Sequence, residues 1–289
     1  MRSKRLLPLG GACALLMAAG TIAAPAAQAA EEPRRNPVGN HTGGSVTPPG
    51  ENIALSDQGK DKTAVTESFA QAEDGRITWA EYNKREARYL KKYKRAKRIS
   101  AHSSVAPKER TLKLTHYAQK NNFFCGPATG IMMVKMADGK IRSKYNRNKF
   151  NQTNMGNRSH MDTARAGLTD WTTKQFERGI DRWRGENWYV QVPSPSGKQA
   201  VKTMRHSIGN NGMPIAADTV EFRNGPHYNS HPRNLTIGHW ITAYGYTSKG
   251  SKSKWADPST SVWQGVKKKF TAGTKGFADT YLQSNGYVY

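Results

Sequence analysis

The stretch Tyr117-Ala-Gln-Lys-Asn-Asn-Phe-Phe-Cys-Gly-Pro-Ala-Thr-Gly-Ile-Met-Met-Val-Lys-Met136 decides how the rest of the chain is read. Pro127 stands where a first-turn proline is tolerated, because its missing N–H has no intrahelical partner to lose. Ile131, Met132, Val134 and Met136 then recur at the three-to-four spacing of a buried helix face. Cys125 therefore lies at a helix start. The helix dipole and unpaired backbone N–H groups there favour a thiolate over a thiol. Gln119, six residues upstream, sits on the entering loop, where its amide can bring a donor to the same place. A thiolate nucleophile beside donors for an oxyanion is the starting equipment of acyl-group chemistry.

Such a nucleophile needs a base. His41 falls in a polar leader and His102 in a basic tail, while His160, His206, His227 and His231 lie in polar or helical surroundings that fix no orientation. His116 is close to Cys125 in sequence, but it precedes the helix and reaches it only if the chain folds back. His239 opens Gly238-His-Trp-Ile-Thr-Ala-Tyr-Gly-Tyr246, which alternates and is rich in β-branched and aromatic residues, as a strand is. A base on a sheet is held more rigidly than one on a loop. An imidazole base in turn needs a carboxylate to set its tautomer. Asp257 follows His239 by eighteen residues, across a turn that would return an antiparallel strand to its side. Asp218 is the rival, and an aspartate before proline, as Asp257 is, often serves only a turn.

The sequence has 289 residues, 45 Lys and Arg against 21 Asp and Glu, and two cysteines. Arg2, Lys4 and Arg5 precede an apolar run from Leu6 to Ala24, and Ala27-Gln28-Ala29 offers small residues at a cleavage site. Residues 1–29 thus read as a secretory signal, and no later segment has the roughly 18 consecutive apolar residues of a membrane span. Removing the signal takes Cys13 and three basic residues, which leaves a formal charge of +21 and Cys125 alone. An exported protein that used cysteine for stability would carry an even set. The charge favours anionic neighbours such as cell-wall polymers, anionic lipids or acidic peptides. No zinc-finger spacing or RNA-binding aromatic signature points to specific nucleic-acid binding.

The organisation follows composition. Residues 30–60, rich in Pro, Gly, Asn, Thr and Ser, read as a disordered linker. Residues 61–105 read as a basic helical segment and a candidate pro-region. Thr78-x-x-Glu81 is a capping box for a helix from Trp79 to Ile99, with Tyr82, Leu90 and Tyr93 as a sparse apolar stripe. Lys84 to Arg98 of that helix carries nine basic residues. Asp74-Gly75-Arg76-Ile77-x-x-x-Glu81 has the second half of a calcium-binding loop. The first and third ligand positions would be Ala70 and Ala72, which offer no oxygen. From residue 106 to 289 the chain reads as a globular domain. A strand is expected around Leu112 and Leu114, a long polar surface loop with some helix over 140–168, and a helix from Thr172 to Trp183. Next come a strand over Trp188–Val192, a helix from Ser196 through Ile208, and a strand over Met213–Ala217. The strand of His239 is followed by one over Lys254–Pro258, and a terminal helix covers Phe277–Leu282. Helices first and strands later make the class α+β.

Tyr117-x-Gln119-x5-Cys125-Gly126-Pro127-Ala128, then Gly238-His239-Trp240-x4-Gly245-Tyr246, then Asp257-Pro258, together resemble the papain-like bacterial cysteine peptidases of the double-glycine leader peptidase type. The resemblance is closest to the stand-alone C-39-like members and covers residues 111–270. It implies a papain-like α+β fold with the nucleophile at a helix N-terminus packed on an antiparallel sheet. It implies Cys125 as nucleophile, His239 as base, Asp257 as its orienter and Gln119 in the oxyanion hole, with a peptide or protein substrate and no metal or cofactor. Leader processing inside a transporter is not carried over, because no transporter segment is present in the sequence. The basic helix before residue 100 and the polar loop at 140–168 lie outside the pattern. Two other readings stay open: a cysteine acyltransferase or amidase (transglutaminase-like or a cell-wall endopeptidase), and a basic wall-binding protein with an idle site.

Overall fold

The computed structural model describes residues 42–48, 51–93 and 105–289. The secretory signal and the end of the basic helix beyond Tyr93 lie outside the described residues. The fold is built around one strand. Ile237–Thr247 alternates β-branched and aromatic side chains and is buried along almost its whole length. In chain order the strands are β1 (Arg110–Thr111), β2 (Gln191–Pro193), β3 (Ile215–Glu221), β4 (Ile237–Thr247), β5 (Lys252–Ala256), β6 (Lys269–Gly273) and β7 (Gly286–Val288). They form one antiparallel sheet in the order β2-β7-β3-β4-β5-β6, and β1 adds to β4. Register places His239 opposite Thr219 and Trp240 opposite Asp218.

The helices are α1 (Asp57–Glu73), α2 (Trp79–Lys92), α3 (Cys125–Asp138), α4 (Gln152–Met155), α5 (Thr163–Ala166), α6 (Gln175–Arg184), α7 (Gly197–Thr203) and α8 (Thr274–Tyr281). Two apolar cores flank the sheet. On one face α3 and α6 bring Ile131, Met133, Phe176 and Trp183 against Ala216, Trp240 and Val288. On the other, Ala200 of α7 and Phe277 of α8, with Met204 and Leu282 just after them, pack against Ile215, Ile241 and Tyr287. Alternate residues of β3 and β4 thus face opposite cores, as the period of a strand requires. This is the expected α+β arrangement, with the helix of Cys125 lying on an antiparallel sheet.

Several expectations need correction. The linker reading of 30–60 fails where the chain is described. Thr42, Gly43, Gly44, Ser45 and Thr47 are buried, and α1 begins at Asp57, capped by Ser56, whose hydroxyl accepts from Gly59 N–H. The chain there lacks apolar period because hydrogen bonds of its backbone and of its polar side chains, not apolar packing, hold it. The capping box of α2 is present, with Thr78 and Glu81 satisfying each other's N–H groups. Its fully buried face is Tyr82, Glu86 and Tyr89, and Leu90 and Tyr93 of the expected stripe are half-buried and pack against the same cluster. His206 draws α1 and α2 inward: its Nδ1 is 2.9 Å from the Thr66 hydroxyl and its Nε2 is 3.2 Å from the Tyr82 hydroxyl. The 61–93 part of the basic segment therefore packs into the same body as the sheet.

The strand at Leu112 shrinks to β1, although Leu112 N–H still bonds Tyr244 C=O. The helix expected from Ser196 through Ile208 loosens after Thr203 into a π-helix, Met204–Asn210. Residues 140–168 hold the expected short helices, α4 and α5, but are not simply a surface loop, because Met155, His160 and Met161 are fully buried. β6 and β7 were not foreseen: one alternates exposed side chains and the other spans three residues. Among the described residues no helix is long and apolar enough to cross a membrane.

Candidate active site

Cys125 opens α3, and the helix start is set by close packing. A Cβ at Gly126 would lie 2.0 Å from the Thr169 hydroxyl oxygen, so only glycine lets the first turn approach residue 169. Pro127 follows within that turn, where its ring costs no hydrogen bond. Thr129, one turn on, donates its hydroxyl to Trp240 C=O at 2.9 Å. Trp240 N–H points at Cys125 Sγ, 3.4 Å away. Trp240 is further fixed by its indole N–H on Thr169 C=O at 2.9 Å and by stacking on Phe176, with centroids 4.3 Å apart. α3 and β4 are thus clamped so that the cysteine sulfur meets the backbone next to His239.

His239 is fully buried. Its Nε2 lies 2.8 Å from Asp257 Oδ1, while its Nδ1 is buried with no hydrogen-bond partner among the described residues. Asp257 ends the hairpin of β4 and β5. It also caps the short turn after it, accepting from the N–H of Ser259 at 2.8 Å and from its hydroxyl at 2.6 Å on Oδ1. The aspartate before proline therefore does both jobs, turn and histidine partner. Its other oxygen takes His231 Nε2 at 2.9 Å and Asn229 Nδ2 at 2.8 Å. His231 Nδ1 reaches Glu221 Oε1 at 2.6 Å. A chain of buried groups, Glu221–His231–Asp257–His239, runs across one end of the interior strands β3, β4 and β5.

The electrostatics follow from this geometry. Burial alone would raise the Asp257 carboxyl, but the His239 and His231 imidazoles override it and hold it well below the usual carboxylate range. Burial would lower His231, and its bonds to Asp257 and Glu221 instead bring it up to about 9. Cys125 departs from the thiolate expectation. Burial pushes its thiol well up, the Trp240 N–H offsets only part of this, and nearby Asp218 adds to the rise. The helix-start argument takes no account of desolvation, and desolvation wins for a sulfur with no exposed surface.

Gln119 is buried, and its backbone N–H bonds Pro258 C=O at 2.8 Å, which ties the loop to the turn after Asp257. Its Nε2 donates to Asn121 C=O at 2.7 Å, leaving the second N–H of that amide. His116 does come back to the site, its Nε2 lying 2.7 Å from Asp257 C=O. Asp218, the rival orienter, does not bond His239. It accepts from Ser45 N–H at 3.3 Å, and burial holds its carboxyl well above the ordinary range.

The sequence reading missed Glu221, His231 and the segment Thr42–Ser45. His231 gave no signal, because its partners lie ten residues before it and 26 after it, in segments with no shared period. The cluster His231, His239 and Asp257 has residue types that bind metal, with ligand atoms within 4.8 Å of one another. The Nε2 atoms of both histidines are already committed to the carboxylate between them.

No curated protein matches the chain. Among solved structures it is similar to xylellain, a cysteine protease from Xylella fastidiosa, at 10% identity and a TM-score of 0.34, over 67% of this chain and 88% of that one. The model of the Peptidase_C39 like family matches residues 111–289, which include Cys125, His239 and Asp257. The match spans more than half of the sequence, and the chain belongs to the Peptidase_C39 like family, as a cysteine peptidase acting on peptide or protein substrates.

Proposed function

We propose that this is a secreted cysteine peptidase that cuts peptide bonds through Cys125, His239 and Asp257 by way of a thioester. The observation that carries the proposal is the pairing of His239 with Asp257 through Nε2, which leaves Nδ1 as the unpaired nitrogen on a residue adjoining the one that touches Cys125 Sγ. Asp257 fixes the tautomer. His239 Nδ1 takes the thiol proton as sulfur attacks the carbonyl. The Cys125 backbone N–H and the free amide N–H of Gln119 hold the oxyanion. His239 then returns the proton to the leaving amine, and afterwards takes one from the water that opens the thioester. The Cys125 N–H is already aimed at a peptide carbonyl in the intact chain, that of Thr42, 3.2 Å away.

The formal charge of +21 after signal removal favours retention near anionic cell-wall polymers, a second part of the proposal. The test of the chemistry is a peptide substrate given to the protein and to its Cys125→Ala and His239→Ala variants. Loss of hydrolysis in both variants, with an acyl adduct on Cys125 of the unaltered protein seen by mass spectrometry, is the expected result. Turnover that survives either substitution removes the mechanism. Release of free acid and amine separates hydrolysis from transfer to a second amine.

A further inference from the structure

The segment Thr42-Gly43-Gly44-Ser45-Val46-Thr47 runs across the mouth of the site, and hydrogen bonds, most of them to its backbone, hold it there. Gly44 N–H and the Thr42 hydroxyl both donate to Gly238 C=O, at 2.9 and 2.5 Å. Thr169 N–H donates to Gly43 C=O at 2.7 Å, making a parallel bridge at Gly44. Cys125 N–H donates to Thr42 C=O. Ser45 is clasped by Trp171 N–H on its hydroxyl and by Asn285 Nδ2 on its carbonyl, each at 2.8 Å. The passage is narrow. A Cβ on Gly43, whose φ is +86°, would lie 1.9 Å from Phe123 C=O, and one on Gly44 would lie 2.3 Å from His239 N.

The walls of this passage are the residue before His239, the residue of the helix start and a strand-like stretch at Thr169. They supply what an extended peptide needs, backbone donors and acceptors on both sides. The segment brings no aromatic or large aliphatic side chain, and its valine is only half buried. It is held as a ligand is held. With it in place, Cys125 and His239 have no exposed surface, and a second peptide cannot reach the sulfur. We propose that Thr42–Thr47 is an intramolecular occupant of the peptide groove that keeps the cysteine masked, and that its displacement switches the enzyme on. The purpose of the groove rests on the peptidase reading; the masking of the thiol does not.

Iodoacetamide reaction at Cys125 tests this on the full chain. The Gly43→Ala/Gly44→Ala double variant cannot seat the segment and leaves Cys125, His239, Asp257 and Gln119 untouched. Reactivity of a site that opens only part of the time is reduced by the open fraction, so the variant should react at least about tenfold faster. Thr42→Val/Ser45→Ala removes two side-chain bonds with no steric insult and should move the rate the same way by less. A synthetic peptide of residues 40–48 should slow the double variant again. Equal rates in the unaltered chain and both variants, with melting temperatures unchanged, overturn the proposal. So does an unaltered chain whose Cys125 reacts like a small free thiol. Faster alkylation without any peptide hydrolysis upholds the mask and sinks the peptidase reading. Hydrolysis by the unaltered chain at the rate of the variants does the reverse.

Discussion

His231 Nε2 lies 2.9 Å from Asp257 Oδ2, on the carboxylate oxygen opposite the one that takes His239. Asp257 is therefore gripped from two sides, and His231 is itself anchored by Glu221 at 2.6 Å. All four side chains have essentially no exposed surface. His231→Gln should destabilise the fold by about 3–5 kcal/mol, the usual cost of removing one partner from a buried charge pair. Glu221→Gln keeps an acceptor for Nδ1 and should cost less. Urea unfolding of both variants reads this. A His231→Gln midpoint equal to that of the unaltered chain would mean that the buried bonds contribute nothing.

The same pair sets a pH dependence. The fold raises His231 to about 9, so its contribution is complete below about pH 6.5, the ordinary histidine value. That contribution fades as pH rises through 9. Asp257 is lowered by the fold, so its contribution is present above about pH 3.9 and is lost as pH falls further. Between those limits the pair stabilises most. The melting temperature should decline from about pH 6.5 to 9.5, and the decline should flatten in His231→Gln. Parallel curves for the two proteins would contradict the assignment.

Gln119 gives a kinetic prediction. If its amide joins the Cys125 N–H at the oxyanion, Gln119→Ala should lower turnover by about 10²–10³-fold, the effect of losing one such donor. KM should change little, because the oxyanion exists only after attack. The backbone bond to Pro258 survives the substitution, so the loop should stay in place. An unchanged kcat in a folded variant removes Gln119 from this role.

Gly126 gives a packing prediction. A methyl group there meets the Thr169 hydroxyl at 2.0 Å, and that oxygen is also bonded to Thr163 at 2.7 Å. Gly126→Ala should cost about 1–3 kcal/mol, the range for overpacking, even though alanine favours helix. Thermal melting checks it. A gain in stability would show that helix propensity outweighs the clash.

The sequence revealed the elements whose side chains carry their own period. Ile131, Met132 and Val134 marked the helix of Cys125, and the alternation through Ile241 and Ala243 marked β4. In both, the buried residues recur at the period of the element itself, so local reading suffices. It could not reach Thr42–Ser45, which hydrogen bonds rather than apolar packing hold and whose glycines look like a linker until Phe123 and Gly238 are seen around them. Nor could it reach His231, whose role exists only after two distant carboxylates converge. The thiolate expected at Cys125 rested on the helix start alone, and the burial that opposes it comes from residues distant in sequence, such as Trp171 and Trp240 in the core around it.

β7, Gly286–Val288, pairs with β2 on one side and β3 on the other. A strand among the last residues of this sequence thus fills an interior position of the sheet. During synthesis β3 and β4 can join early, but β2 has no place to dock until residue 288 has left the ribosome. The two cores share this strand through Val288 and Tyr287, so neither closes before the other. Closing the sheet therefore depends on long-range pairing, the kind that folds slowly. A chain still being made, or one trimmed before residue 286, would present open β2 and β3 edges as ready targets for degradation.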